Sequence, residues 1–270
     1  MNFGCKLSAY DSRDYRLKSG VTSGSNLPES YSCPLLAPVK NQRQVSSCVA
    51  HAVSSILEYH AVPYRILSTN FIYGIQKELF NREGKGMILR DACKIAADYG
   101  DMVVEDCPGN TEVPDCYSIA SSALSDEEKV TRASNFRILK YFLCTSADDI
   151  KHALYNYGPV LGSLKWYSDY TVDKNGTLVG GQSKDFGYHA IMIYGYTPDG
   201  FWCQNSWGRY WGKSGRFFVP NSIKFWEARG FVDWNGSDEL KEPKLNSFTN
   251  IMYKCFNVLV NIIRKLFIKE

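Results

Sequence analysis

Apolar positions change their period partway along the chain. From Cys48 onward Val49, Ala52, Val53, Ile56 and Leu57 recur at helical spacing, which predicts a helix beginning at Cys48. Arg90 to Tyr99 reads as a second helix, ended by Gly100. Ser146 and Asp149 have the form of a capping box, with Asp in place of Glu; the helix they start runs to Tyr157 and stops at Gly158-Pro159. Beyond it the pattern turns strand-like. VLGSLKW (160–166), YHAIMIYGYT (188–197), GFWCQNSW (200–207) and GRFFVP (215–220) are β-rich runs punctuated by glycine and proline. Helices first and strands second predict an α+β fold, an α-rich half packed on a β-rich half with a cleft between them.

The same pattern divides the chain. Residues 1–26 are polar, with Gly20, Gly24 and several serines, and read as an extended arm; residues 27–232 read as one compact unit. Residues 233–247 are a linker by composition, and 248–270 form an apolar and basic terminal segment. Over 248–268 a wheel places Lys254, Asn257, Asn261 and Arg264 on one face and Ile251, Phe256, Leu259 and Ile263 on the other, an amphipathic helix. Lys254 and Arg264 interrupt the ~17–25 apolar residues that a membrane span needs. Two readings stand for this helix: docking on its own domain or a partner chain, or peripheral anchoring on a membrane surface.

Composition narrows the function. Hydrophobic residues make up 44% and charged residues 22%, as in an ordinary soluble protein. A net charge of +3, without a basic stripe interleaved with aromatics, excludes nucleic acid as the expected partner. Nine cysteines leave at least one thiol unpaired, and none has C-x-x-C spacing. Four scattered histidines give no zinc pattern, so no metal or cofactor is expected. Cys107 and Cys116 are the closest pair, and a bridge there is allowed but not required. The first residues lack an apolar signal core, so the expected location is a reducing cytoplasm with mostly free thiols.

Within this frame Cys48, His189 and Asn205 form a chemical set. A thiol attacks as thiolate, and a helix N-terminus together with a nearby imidazole favours that form. His189 lies in a strand-like run that can hold its ring, and Asn205 follows sixteen residues later (205−189) across a turn at 195–200. A hairpin there brings the two together, and the Asn carbonyl then fixes the ring tautomer. The Cys48 N–H and the Gln42 side chain, six residues upstream (48−42), can supply oxyanion donors.

Three ordered segments carry a family resemblance. PVKNQRQVSSCVAHA (38–52) resembles the nucleophile region of papain-like cysteine peptidases, where Gln precedes the catalytic Cys by the same six residues. YHAIMIYGY resembles that family's histidine strand, and QNSWGRYWGKSGRFFVP (204–220) its Asn-Ser-Trp-Gly segment. The order Cys, His, Asn and the 141-residue separation (189−48) fit as well. The resemblance covers residues 27–232 and implies a papain-like two-half fold, with an antiparallel, barrel-like C-terminal half. It implies an endopeptidase acting on peptide or protein substrates, with Trp207 shielding the Asn–His hydrogen bond and Tyr188, Arg43, Gly86 and Met87 near the substrate. AYDSRDYRL followed by LPESYSCPLLAPVKNQ looks most like the short N-terminal extension of xylellain-like bacterial and phage members, which implies a zymogen whose arm restrains activity. The alternative reading of the arm is a plain tail.

The chain also departs from the family pattern. Val45 stands where a disulfide cysteine is common, Arg43 and Ser46 where glycines are usual, and Val49 where a tryptophan follows the nucleophile. His51 replaces a common core aromatic, and core packing is its expected role. Two other functions remain open on the same residues: a retired papain fold serving as a binding module, and peptide ligation by acyl transfer to an amine.

Overall fold

Cys48 opens the helix that organises the molecule. Helix α1 (Cys48–His60) buries Val53, Ile56 and Leu57, worth about 1.5–3 kcal/mol apiece. A side-chain N-cap would add only about 1 kcal/mol. That helix therefore starts at Cys48 with Ser47 making no cap; its hydroxyl turns to His51 Nδ1, 3.2 Å away. The computed structural model describes residues 3–16, 27–61, 63–82, 85–109 and 115–233. The expectations for 17–26, for the linker beyond Asp233 and for the amphipathic helix at 248–270 lie outside the described residues.

Around α1 stand the short helices α2 (Thr69–Gly74) and α3 (Gln76–Phe80), then α4 (Leu89–Asp98), α5 (Asp115–Leu124) and α6 (Glu127–Ala133). The helix expected at Arg90–Tyr99 is α4, shifted by one residue at each end. The helix expected from Ser146 is α7 (Ala147–Tyr157), and its capping box is complete: each side chain of Ser146 and Asp149 takes the other's backbone N–H.

The strands are β1 (Cys5–Lys6), β2 (Tyr31–Ser32), β3 (Met87–Ile88), β4 (Ile138–Cys144), β5 (Val160–Tyr167), β6 (Thr171–Val172), β7 (Leu178–Val179), β8 (Phe186–Thr197), β9 (Gly200–Gln204), β10 (Arg216–Pro220) and β11 (Phe225–Asp233). The main sheet runs β10-β9-β8-β5-β11-β4, with β2 added on β8, and its paired neighbours are antiparallel. Its outer strands β10 and β4 are not joined, so the barrel-like half expected from sequence is an open sheet. Closing a barrel needs enough strands at a matched tilt and stagger, and this six-strand path ends short of that. Helix α1 packs on β8 from the helical half, while α7 covers β11 and β8.

Residues 3–16 lie along both halves. Strand β1 pairs parallel with β3 of the helical half, Cys5 with Met87 and Lys6 with Ile88. Further on, the Leu143 N–H donates to Tyr15 O at 2.8 Å, tying the arm to the edge strand β4.

Candidate active site

The antiparallel hairpin of β8 and β9 turns at Pro198-Asp199, tighter than the turn the sequence suggested, because the strands extend to Thr197 and from Gly200. It carries His189 and Asn205 to one place. Asn205 Oδ1 accepts from the Ser206 N–H at 2.8 Å and lies 2.7 Å from His189 Nε2. An oxygen facing that nitrogen fixes Nε2 as the protonated one, leaving Nδ1 with the basic lone pair. Nδ1 is buried and makes no hydrogen bond among the described residues.

The thiol adjoins this ring. Cys48 Sγ accepts from the Ala190 N–H at 3.4 Å, so the sulfur touches the residue directly after His189. Both groups are sealed, each at 0% exposure. Burial pushes the Cys48 thiol up to about 11 against hydrogen bonds from the N–H groups of Ala190 and Gly4. Burial likewise pulls His189 down to about 4 against the Asn205 contact. In this closed state the pair is therefore neutral thiol and neutral imidazole at neutral pH, not thiolate and imidazolium.

Gln42 is held in orientation. Its Nε2 donates to Val45 O at 2.8 Å, its Oε1 accepts from Ser206 Oγ at 2.6 Å, and its N–H donates to Ser206 O at 2.7 Å. The Ser-Trp-Gly segment thus fixes the amide on one side and the Asn–His contact on the other. Trp207 stacks on the His189 ring, centroids 4.7 Å apart and planes 28° from parallel. His51 is buried, its Nδ1 3.0 Å from Ser47 O, and packs the first turn of α1.

Among the candidate substrate residues, Gly86 and Met87 lie against the arm. The Met87 N–H donates to Gly4 O at 2.7 Å, and Gly86 adopts φ +90° with its N–H on the Tyr73 hydroxyl at 3.1 Å. Tyr188 is half-buried, edge-on to Trp226 at 5.9 Å, one residue from the catalytic candidate. Arg43 is exposed and has φ +50°, a left-handed conformation, which gives the physical reason a glycine suits that position.

Several site residues were not singled out from the sequence. Trp166 is wholly buried at the centre of an aromatic cluster, 5.2 Å from His189, 4.9 Å from Trp207 and 5.6 Å from Phe217 between centroids. Its signal was its place in the β5 run, two residues beyond Leu164, the cross-strand partner of His189. Phe3 and Gly4 had no local signal. The Phe3 ring sits edge-on to His189 at 6.4 Å and occupies the space a side chain at Gly187 would need. Gly4 lies against the loop leading into Cys48 so closely that an added Cβ would overlap the Ser46 carbonyl. Cys107 and Cys116, the candidate bridge, are both free thiols, like the other described cysteines.

Comparison with known proteins bears on the whole. A family model described as papain family cysteine protease matches residues 28–224. The chain is 31% identical over 133 residues to a cathepsin B-like cysteine proteinase 3 of Caenorhabditis elegans, covering 47% of this chain and 36% of that one. It is 32% identical over 117 residues to a gut-specific cysteine proteinase of the same organism, covering 42% and 35%. The chain thus spans about a third of the length of these curated relatives. Among solved structures, xylellain, a cysteine protease from Xylella fastidiosa, superposes with a TM-score of 0.69 at 21% identity, covering 86% of this chain and 96% of that one.

Proposed function

The chain belongs to the papain family of cysteine proteases, and on that premise we propose that it cleaves peptide bonds through Cys48, His189, Asn205 and Gln42, with residues 3–16 holding the site closed. The observation that carries this reading is the Asn205–His189 contact of 2.7 Å, which leaves Nδ1 as the base beside the residue that binds the Cys48 sulfur. When the arm leaves, water reaches the pair and the cost of ionising it falls. Cys48 then attacks the substrate carbonyl carbon while the Gln42 amide and the Cys48 N–H take the oxyanion. His189 gives its proton to the leaving amine, then takes one from the water that hydrolyses the acyl-enzyme.

Arm closure has its own chemical logic. Gly4 packs on Ser46, and its carbonyl oxygen accepts from the Met87 N–H at 2.7 Å. The Gly4 carbonyl is thus paired with β3 and not with the Gln42 and Cys48 donors that would hold an oxyanion, so the docked arm is held without being cut.

A peptidyl epoxide tests the proposal. It should add once per chain and at Cys48 alone, with the other eight cysteines unmodified by peptide mapping, and Cys48→Ala should neither label nor cleave a peptide library. Labelling spread over several cysteines, or cleavage surviving Cys48→Ala, would overturn the assignment. Trp207 supplies a smaller effect. Stacked aromatic pairs are worth about 0.5–1.5 kcal/mol, so Trp207→Ala should lower kcat up to about tenfold with KM little changed, measured with the arm displaced. An equal loss in KM would instead place Trp207 in substrate binding.

A further inference from the structure

The arm brings a second thiol to the nucleophile. Cys5 follows Gly4, which packs so closely on Ser46, two residues before Cys48, that an added Cβ would overlap the Ser46 carbonyl. Cys5 Sγ lies 3.3 Å from Ser163 Oγ, and Ser163 is the cross-strand partner of Ala190, whose N–H lies 3.4 Å from Cys48 Sγ. Both sulfurs therefore sit over one pair of opposed residues in β5 and β8. Cys5 also feels the charge of Cys48, which after burial is the largest influence raising its thiol. Cys93, Cys144 and Cys203 are buried in other elements, so the closeness of Cys5 does not follow from the abundance of cysteine.

We propose that Cys5 is a resolving cysteine, which converts an oxidised Cys48 into a reversible disulfide and so locks the arm covalently in the cleft. This rests on Cys48 being the nucleophile and adds a redox control to it. The docked thiols are neutral and unreactive, because peroxide attacks the thiolate. Oxidation therefore begins when the arm lifts and Cys48 ionises beside His189. A hydroperoxide transfers oxygen to the sulfur: its O–O bond breaks, an S–O bond forms, Cys48 becomes a sulfenic acid and the peroxide is reduced to alcohol or water. Without a neighbouring thiol, more peroxide drives the sulfenic acid to irreversible sulfinic acid. As the arm returns, before the cleft closes over it, Cys5 ionises and its thiolate displaces hydroxide from the Cys48 sulfur, and that hydroxide leaves as water with the thiol proton. Two equivalents of a small thiol then reduce the bridge by exchange, releasing their own disulfide and restoring both cysteines.

The test treats the full chain with a slight excess of hydrogen peroxide, then maps peptides without reduction and assays cleavage before and after dithiothreitol. The expected result is a Cys5–Cys48 linked peptide and activity that is lost and then regained. In Cys5→Ser the recovered activity, taken relative to that variant's own starting value, should fall about tenfold, with sulfinic acid at Cys48. Equal recovery in both chains, or a bridge from Cys48 to another cysteine, would overturn the proposal. Failure of the epoxide to label Cys48 in the arm-displaced Gly4→Val chain, without peroxide, would instead remove the nucleophile reading, so the two failures are told apart.

Discussion

Gly4→Val should raise the peptide-cleaving activity of the full chain by about ten- to a hundredfold, with Cys48 labelling by a peptidyl epoxide accelerating in parallel. The reason is steric. A Cβ at Gly4 would overlap the Ser46 carbonyl and stand only 2.8 Å from the Ser46 Cα, and that backbone leads directly into Cys48 at the start of α1. Ser46 is buried, with the loop pinned by the Gln42–Ser206 contacts, so the arm yields before the loop does. Each ~1.4 kcal/mol removed from docking opens the site tenfold more often, and overpacking of this kind costs about 1–3 kcal/mol. Unchanged activity in Gly4→Val, with Cys48 still reactive, would mean that the arm does not limit access. The same displacement should loosen the grip on His189. Its value of about 4 against the usual 6.5 marks a closed state that prefers neutral imidazole. That contribution to closure is complete above pH 6.5 and is lost as the pH falls through 4.

What the sequence disclosed and what it hid follow from the range of the interactions. The start of α1, the capping box of α7 and the strands β5, β8, β9 and β10 are local patterns of apolar spacing, and each stands in the structure within a few residues of its expected place. That Cys48, His189, Asn205 and Gln42 would come together was legible because the chemistry proposed for them needs particular residue types in a particular order. Strand β11 was not. Its run FWEARGFVD buries Glu227 and Arg229, so charged residues occupy positions that a periodicity reading assigns to solvent. Strand β4 precedes α7, which breaks the simple order of helices then strands. Trp166 looked like one more core aromatic, because only the folded sheet puts it under His189. The position of Phe3 and Gly4 depends entirely on contacts with residues more than forty positions away, and no local pattern reports that.

The charges hidden in β11 lead to the second large effect. Arg229→Met should lower the stability of the chain by about 3–5 kcal/mol in urea unfolding, the cost of removing one partner from a buried ionic group. Arg229 is 1% exposed and donates to Glu227 at 2.6 Å and to Asp14 at 3.1 Å and 3.3 Å. Without it both carboxylates lose a buried cation. Asp14 is also held bidentately by Arg90 of α4, at 2.5 Å and 2.9 Å, so it joins the helical half to the sheet half. Burial would raise its carboxyl, but the hydrogen bonds from Arg90 and Arg229 outweigh that and keep it below the usual carboxylate range. Ser8 donates its N–H and hydroxyl to Glu227 at 2.8 Å and 2.7 Å, and Arg90 reaches Ala9 O at 2.6 Å. Two arginines and one glutamate of the domain thus grip three residues of the arm. Asp14→Ala should separate the grip from the fold. Arg229 keeps Glu227, so the urea midpoint falls much less than in Arg229→Met, while peptide cleavage rises as the arm comes away. If Asp14→Ala unfolds as easily as Arg229→Met and cleaves no faster, the arm is an integral part of the fold and its release cannot be the step that opens the site.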